Sequence, residues 1–173
     1  MARPSHSAVR VREGAASGRL GRMDHSHARI VVEPGRSLVA RAGMTLYRVV
    51  TVKRGVDRTF VAVDGGMGDN LEVALFGQRY EAVLAGRLHD EDAEEVVVVG
   101  RHCESGDVLI DPLRLPTARV GDLLAVPATG AYTHTMANNY NGYRRPPVVF
   151  VRDGAARAVI RRETWEVLFA RDL

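Results

Sequence analysis

From Ile30 onward the chain is cut into short apolar runs, each closed by Gly, Pro or Asp, and this punctuation limits it to short strands. Ile30–Glu33 ends at Pro34-Gly35. Thr45–Lys53 and Thr59–Val63 mix Val, Thr and aromatics, the second stopping at Asp64-Gly65-Gly66. Further strands are expected at Glu81–Ala85, Val96–Val99, Asp107–Ile110, Leu123–Val126, Val148–Val151 and Ala156–Arg161. Helical signals are few. Ser37–Ala42 offers Ser37 as N-cap and Gly43 as stop, and Asp69–Phe76 offers Asp69 or Asn70 as cap. Arg162–Arg171 places Trp165, Leu168 and Phe169 at helical spacing, a stripe expected to pack against the core. His89–Glu95 reads as a solvated acidic hairpin loop, and no internal repeat is visible. The expected fold is mainly β, an antiparallel sandwich or barrel with a short C-terminal helix.

A length of 173 residues with 46% hydrophobic content suits one domain with a real core. No apolar run is long enough for a membrane helix, and a single cysteine excludes a disulfide framework or a cysteine-based zinc module. No apolar segment of the signal-peptide kind follows the first basic residues, so a reducing, cytoplasmic setting is expected. Residues 1–29 hold six arginines against Glu13 and Asp24, a local charge of +4, while residues 30–173 carry −1. The excess positive charge therefore belongs to an arm whose Arg/Ser/Gly/His composition predicts disorder, and no nucleic-acid partner is expected.

Four segments have compositions that packing alone does not require. They are Glu33-Pro34-Gly35-Arg36, the glycine-rich run 64–70 (DGGMGDN), the run 101–107 (RHCESGD), and the polar, aromatic stretch 128–145. Each has a plain structural reading. Glu33 and Arg36 could form a turn ion pair, the glycines a tight connection, and Cys103 a small buried hydrophobe; 128–145 could be an ordinary loop. His102-Cys103-Glu104 lacks a second ligand cluster with metal spacing, so no metal is expected.

In order along the chain, EPGRS, VDGGM.DN, HCESGD, GD.LAVP.TGAY and M..NYNG..RP resemble one known family. This is the diaminopimelate branch of the pyridoxal-phosphate ornithine/diaminopimelate/arginine decarboxylases, of the alanine-racemase-like fold (fold type III). The resemblance runs from about Ile30 to Leu173. It implies that residues 30–43 are the remnant of the last strand and helix of a β/α barrel, and that 44–173 form a C-terminal β-domain. It also implies pyridoxal 5'-phosphate as cofactor, an amino-acid substrate, and a homodimer or a full-length or split decarboxylase as partner.

Residue by residue, Glu33 resembles the carboxylate that faces the pyridine nitrogen, where an anion keeps the ring protonated and electron-withdrawing. Pro34 and Gly35 lead into backbone N–H groups of Gly35 and Arg36 that would face the phosphate. The Arg36 guanidinium resembles one that also holds a substrate carboxylate. Tyr132 resembles a tyrosine whose hydroxyl reaches the phosphate and borders the substrate. Cys103 resembles a catalytic thiol that a dimer partner inserts, with Glu104 beside it to bind the substrate's distal ammonium.

Two departures qualify the resemblance. Where the diaminopimelate branch has Pro-Arg-Pro-Ala-Leu-Tyr-Gly, this chain has Leu71-Glu72-Val73-Ala74-Leu75-Phe76-Gly77. Glu72 and Phe76 thus replace an arginine and a tyrosine at the substrate's distal carboxylate, and a free acid there would repel it. The second departure is the family's cofactor-bearing lysine, which lies in the barrel; the one lysine here is Lys53, at a strand end. A C-terminal decarboxylase portion inactive by itself is expected. The alternatives are a non-catalytic β-domain that dimerises or docks onto a full-length decarboxylase, and a decarboxylase portion for a different amino acid.

Overall fold

Six strands form one curled sheet in the order β3-β6-β1-β2-β4-β5, and a separate hairpin joins β7 to β8. The computed structural model describes Val31 and residues 33–173. The strands are β1 (Met44–Arg54), β2 (Thr59–Val63), β3 (Val83–Leu84), β4 (Ala93–Val99), β5 (Val108–Pro116), β6 (Leu123–Pro127), β7 (Val148–Arg152) and β8 (Ala155–Ile160). The expected arm over 1–29 lies outside the described residues, as do Ile30 and Val32 of the expected strand Ile30–Glu33.

β1 organises the sheet because it serves two partners. Its first half, Met44–Arg48, pairs antiparallel with β6, and Val49–Arg54 pairs antiparallel with β2 across a register shift near Val50. Such an irregularity increases local twist, and here it lets one strand turn a corner. The edge strands β3 and β5 then approach each other, which closes the curl. Inside it, Tyr47, Val49, Val61, Val63, Leu84 and Val98 contribute to a core drawn from all six strands. Alternate residues of β1 point outward, as the period of two requires.

Several expectations are corrected. The sheet is not purely antiparallel, because β2 and β4 run parallel. A parallel pair needs a crossover of a dozen or more residues, so the segment between them carries its own helix, α2 (Leu71–Phe76). Ala93, Glu94 and Glu95 belong to β4 and not to an acidic loop. β5 continues through Pro112 to Pro116, which an edge strand tolerates because it needs donors on one side only. α1 (Gly35–Val39) begins behind Pro34, and Ser37 is no cap; its hydroxyl donates to the Pro34 carbonyl at 2.8 Å. A short helix not expected from sequence, α3 (Thr133–Met136), follows Tyr132.

The C-terminal helix is a single turn, α4 (Trp165–Leu168), capped by the Thr164 hydroxyl. Trp165 and Phe169 stack on each other in solvent at 5.9 Å, under Arg144, and do not pack into the core as expected. Glu163 ties this end to the loop before β7. Its carboxylate accepts from the Arg145 backbone N–H at 3.0 Å, the Arg145 guanidinium at 2.6 Å and the Asn139 amide. The Arg145 side-chain and backbone bonds hold its pKa down to about 2, against burial. A carboxylate whose folded pKa is depressed gives stability that is present above its unfolded pKa and lost as pH falls toward the folded one. Urea unfolding of the wild type should therefore weaken steeply between pH 4.5 and 2. Glu163→Gln should be less stable at pH 7, by about 1–3 kcal/mol, and should show a shallower acid slope. Equal acid slopes for the two proteins would contradict this.

Candidate functional site

The glycine-rich run after β2 and the run 101–107 after β4 form one joint. The Asp107 carboxylate, almost fully buried, accepts from the backbone N–H of Met67 at 2.6 Å and of His102 at 2.8 Å. A Cβ on Gly66 would lie 2.5 Å from that carboxylate, and one on Gly100 2.1 Å from it. These glycines are present for close approach and not only for turning. Gly68 N–H donates to His102 Nε2 at 3.2 Å, and the His102 ring stacks on Tyr140 and meets Tyr143 edge-on. This rigid base displays Cys103 and Glu104 in solvent, with the Tyr140 hydroxyl 3.5 Å from the Glu104 carboxylate. Cys103 is thus not the buried hydrophobe that a lone cysteine usually is. No group of three potential metal ligands occurs among the described residues.

The first and fourth segments form a second joint. Gly130 N–H donates to the Ala40 carbonyl at 3.0 Å, and Thr129 N–H to the Gly43 carbonyl at 3.2 Å. The contact is so close that a Cβ on Gly130 would sit 2.1 Å from the Val39 carbonyl oxygen. Tyr132 follows at φ 65°, ψ −36°, in a three-residue turn closed by Thr133 N–H to the Ala131 carbonyl at 2.8 Å. That conformation is rare and strained for a bulky residue. It aims the Tyr132 hydroxyl at Gly35, 3.4 Å from where a Cβ would be, and puts the Arg36 guanidinium 4.9 Å from the ring centroid. Gly35, Arg36 and Tyr132 are therefore brought together. The Gly35 N–H, however, bonds the Glu33 carbonyl at 2.9 Å, and the Glu33 side chain is exposed.

Arg36 does not pair with Glu33, as one turn reading would have it, but with Glu72 on α2. Its Nη2 lies 2.6 Å from Glu72 Oε1 and its Nη1 donates to Oε2 at 3.4 Å. The Tyr80 hydroxyl also donates to Oε2. Glu72 is 1% exposed, yet its pKa falls below the ordinary range: burial raises it, and Arg36 and Tyr80 together outweigh that. Burial and the Glu72 carboxylate raise the Tyr80 pKa in turn. Glu72 is thus a neutralised, internally bound carboxylate, not the free acid expected to repel ligands. Phe76, one turn further, is 67% exposed at the rim. Sequence reasoning missed Tyr80, which sits between helix and strand without a period to mark it. Among the described residues no hydrogen bond or ion pair joins Cys103 or Glu104 to this group.

Residues 23–130 match the family model described as pyridoxal-dependent decarboxylase, C-terminal sheet domain. The chain belongs to this family. Its relatives include diaminopimelate decarboxylases from Actinosynnema pretiosum, 60% identical over 84% of this chain, and from Bacillus subtilis, 52% identical over 83%. The chain spans about a third of the length of these curated relatives, 33% in each case. Among solved structures, diaminopimelate decarboxylase from M. jannaschii in co-complex with L-lysine superimposes with a TM-score of 0.79 at 33% identity, covering 91% of this chain and 36% of that one. The Helicobacter pylori enzyme complexed with L-lysine gives 0.78 at 31% identity, covering 92% and 39%. The family's sheet domain accounts for the mainly β fold, and the family is pyridoxal-dependent. No helix among the described residues is long and apolar enough to cross a membrane.

Proposed function

We propose that this chain supplies the C-terminal sheet domain of a pyridoxal-phosphate-dependent amino-acid decarboxylase of the diaminopimelate type. In this reading residues 30–43 end the barrel and 44–173 form the sheet domain. The observation that carries it is the convergence of Gly35, Arg36 and Tyr132 through the Gly43–Gly130 contact. The residues fit a phosphate-bearing cofactor: the bare Gly35 leaves open space beneath the Tyr132 hydroxyl, with a guanidinium beside it. Arg36 and Tyr132 would hold the phosphate, with Pro34 and Gly35 shaping the approach, and exposed Glu33 would face the ring nitrogen. Bound pyridoxal phosphate supplies the electron sink for loss of CO2.

The protein's own residues position and exclude. Tyr132 borders the substrate, Phe76 stands at the rim of its distal end with Glu72 behind Arg36, and Glu104 offers a carboxylate to an ammonium group. Cys103 holds a proton donor at an exposed tip, where only a partner's site could use it. Homodimerisation, or docking onto a full-length decarboxylase, would supply such a site, and the exposure of Cys103 supports that reading. Lys53, the chain's only lysine, is exposed at the end of β1 and paired across to Phe60, so it does not serve the cofactor.

The test mixes the purified 173-residue chain with pyridoxal phosphate and meso-diaminopimelate. The expected result is no CO2 and no cofactor absorbance shifted toward the visible. A full-length decarboxylase of the family should co-purify with the chain. Turnover by the chain alone would overturn the reading of Lys53, and failure to associate would overturn the docking role.

A further inference from the structure

Arg36, Glu72 and Tyr80 make a complete carboxylate receptor whose ligand is part of the chain. A guanidinium contacts both oxygens of one carboxylate, a geometry that guanidinium and carboxylate groups match by shape as well as charge. A phenol donates to one of those oxygens, so both carboxylate oxygens are held by donors. The bound carboxylate is buried, while the Arg36 side chain is 44% exposed and its ring contact, Tyr132, is 50% exposed. The receptor therefore opens toward solvent on the side of the candidate site, and its pocket is filled from behind by α2. An incoming carboxylate must first displace a buried one that has nowhere else to pair, which is among the costlier exchanges a protein can make.

We infer that Glu72 is a built-in carboxylate that keeps the Arg36–Tyr80 cradle filled, so that the site refuses a ligand carboxylate at Arg36 and selects amino acids bringing none there. The substrate half of this rests on the decarboxylase reading above; the filled cradle stands without it. Glu72 acts here as a specificity-determining residue. Truncation to alanine deletes a CH2–COO⁻ unit, which is the shape of acetate.

The experiment uses the purified 173-residue chain and needs neither cofactor nor turnover. Glu72→Ala should melt lower than wild type. Titration with sodium acetate should raise its Tm by roughly 3 °C over equal sodium chloride, and saturably, as a site-bound ligand does. Wild type should show no such rise, and Arg36→Ala/Glu72→Ala should lose it. In case the alanine variant does not fold, Glu72→Gln keeps the shape and frees the charge. There the Arg36 Nε–H resonance should move on adding glutarate, and in wild type it should stay fixed. A wild-type Arg36 resonance that titrates with glutarate, or an alanine variant that acetate does not rescue, overturns the proposal. Neither outcome bears on whether the chain joins a decarboxylase, which the co-purification reads separately.

Discussion

Asp107→Ala is expected to lower the stability of the chain by about 3 kcal/mol, and its Tm by about 10 °C, for a protein of this size. The carboxylate satisfies the Met67 and His102 backbone N–H groups in a place water does not reach. Each buried donor left without an acceptor costs about 1–3 kcal/mol, and the alanine methyl replaces neither bond. The surroundings cannot collapse to help, because Gly66 and Gly100 already press against the carboxylate from two sides. Asp107→Asn keeps one oxygen acceptor in the same shape and should lose about half as much. Thermal unfolding by circular dichroism checks the magnitude, and hydrogen exchange at Met67 and His102 checks the cause. A Tm within 2 °C of wild type for the alanine variant would mean that the two runs are not joined through Asp107.

That joint also shows which parts of the molecule could be read before the fold was known. Strand positions were legible because side-chain alternation and β-branched residues are local properties. The corners were less so: Pro112 looks like a strand end until β5 is known to be an edge, and the parallel pairing of β2 with β4 depends on a crossover that no local window contains. The glycines at 65, 66 and 68 were legible as special, but the reason was not. Nothing in the sequence says that Tyr47 and Asp69, Asp107 and His102 will stand where the side chains of residues 65, 66 and 68 would have been.

The candidate site divides in the same way. Gly35, Arg36 and Tyr132 stand out by motif, and the structure brings them together. The partner of Arg36 could not be read, since the choice between Glu33 three residues away and Glu72 on another element is tertiary. The stripe of Trp165 and Phe169 has a helical period, but the helix is one turn long and presents that face to solvent. Periodicity reports which residues share a face, and burial of that face needs a neighbour.

Gly130→Ala is expected to act locally, and by as much. The added Cβ falls 2.1 Å from the Val39 carbonyl oxygen, 2.9 Å from Gly43 N and 3.0 Å from the Ala40 carbonyl oxygen, all backbone atoms that cannot rotate away. The two chains must part, which breaks the Gly130-to-Ala40 and Thr129-to-Gly43 hydrogen bonds. The segment that gives way is the one with less to lose: α1 buries no residue, and Ala40 is the buried apolar residue between Gly35 and Gly43. Residues 35–43 should therefore detach while the six-stranded sheet stays folded. Amide exchange at Thr129 and Gly130 should quicken by about 100-fold, the signature of a local opening made easier without global unfolding. The global Tm should fall by less than 3 °C, in contrast to Asp107→Ala. Gly106→Ala is the control, since like Gly130 it has no positive φ, but an added Cβ meets only Glu104 side-chain atoms at 3.8 and 4.0 Å. If the control matched Gly130→Ala at Thr129, the general loss of glycine freedom and not the clash would be the cause. Detachment also takes Gly35 and Arg36 away from Tyr132, so the substitution should release the Arg36 guanidinium from Glu72 with no change to either residue.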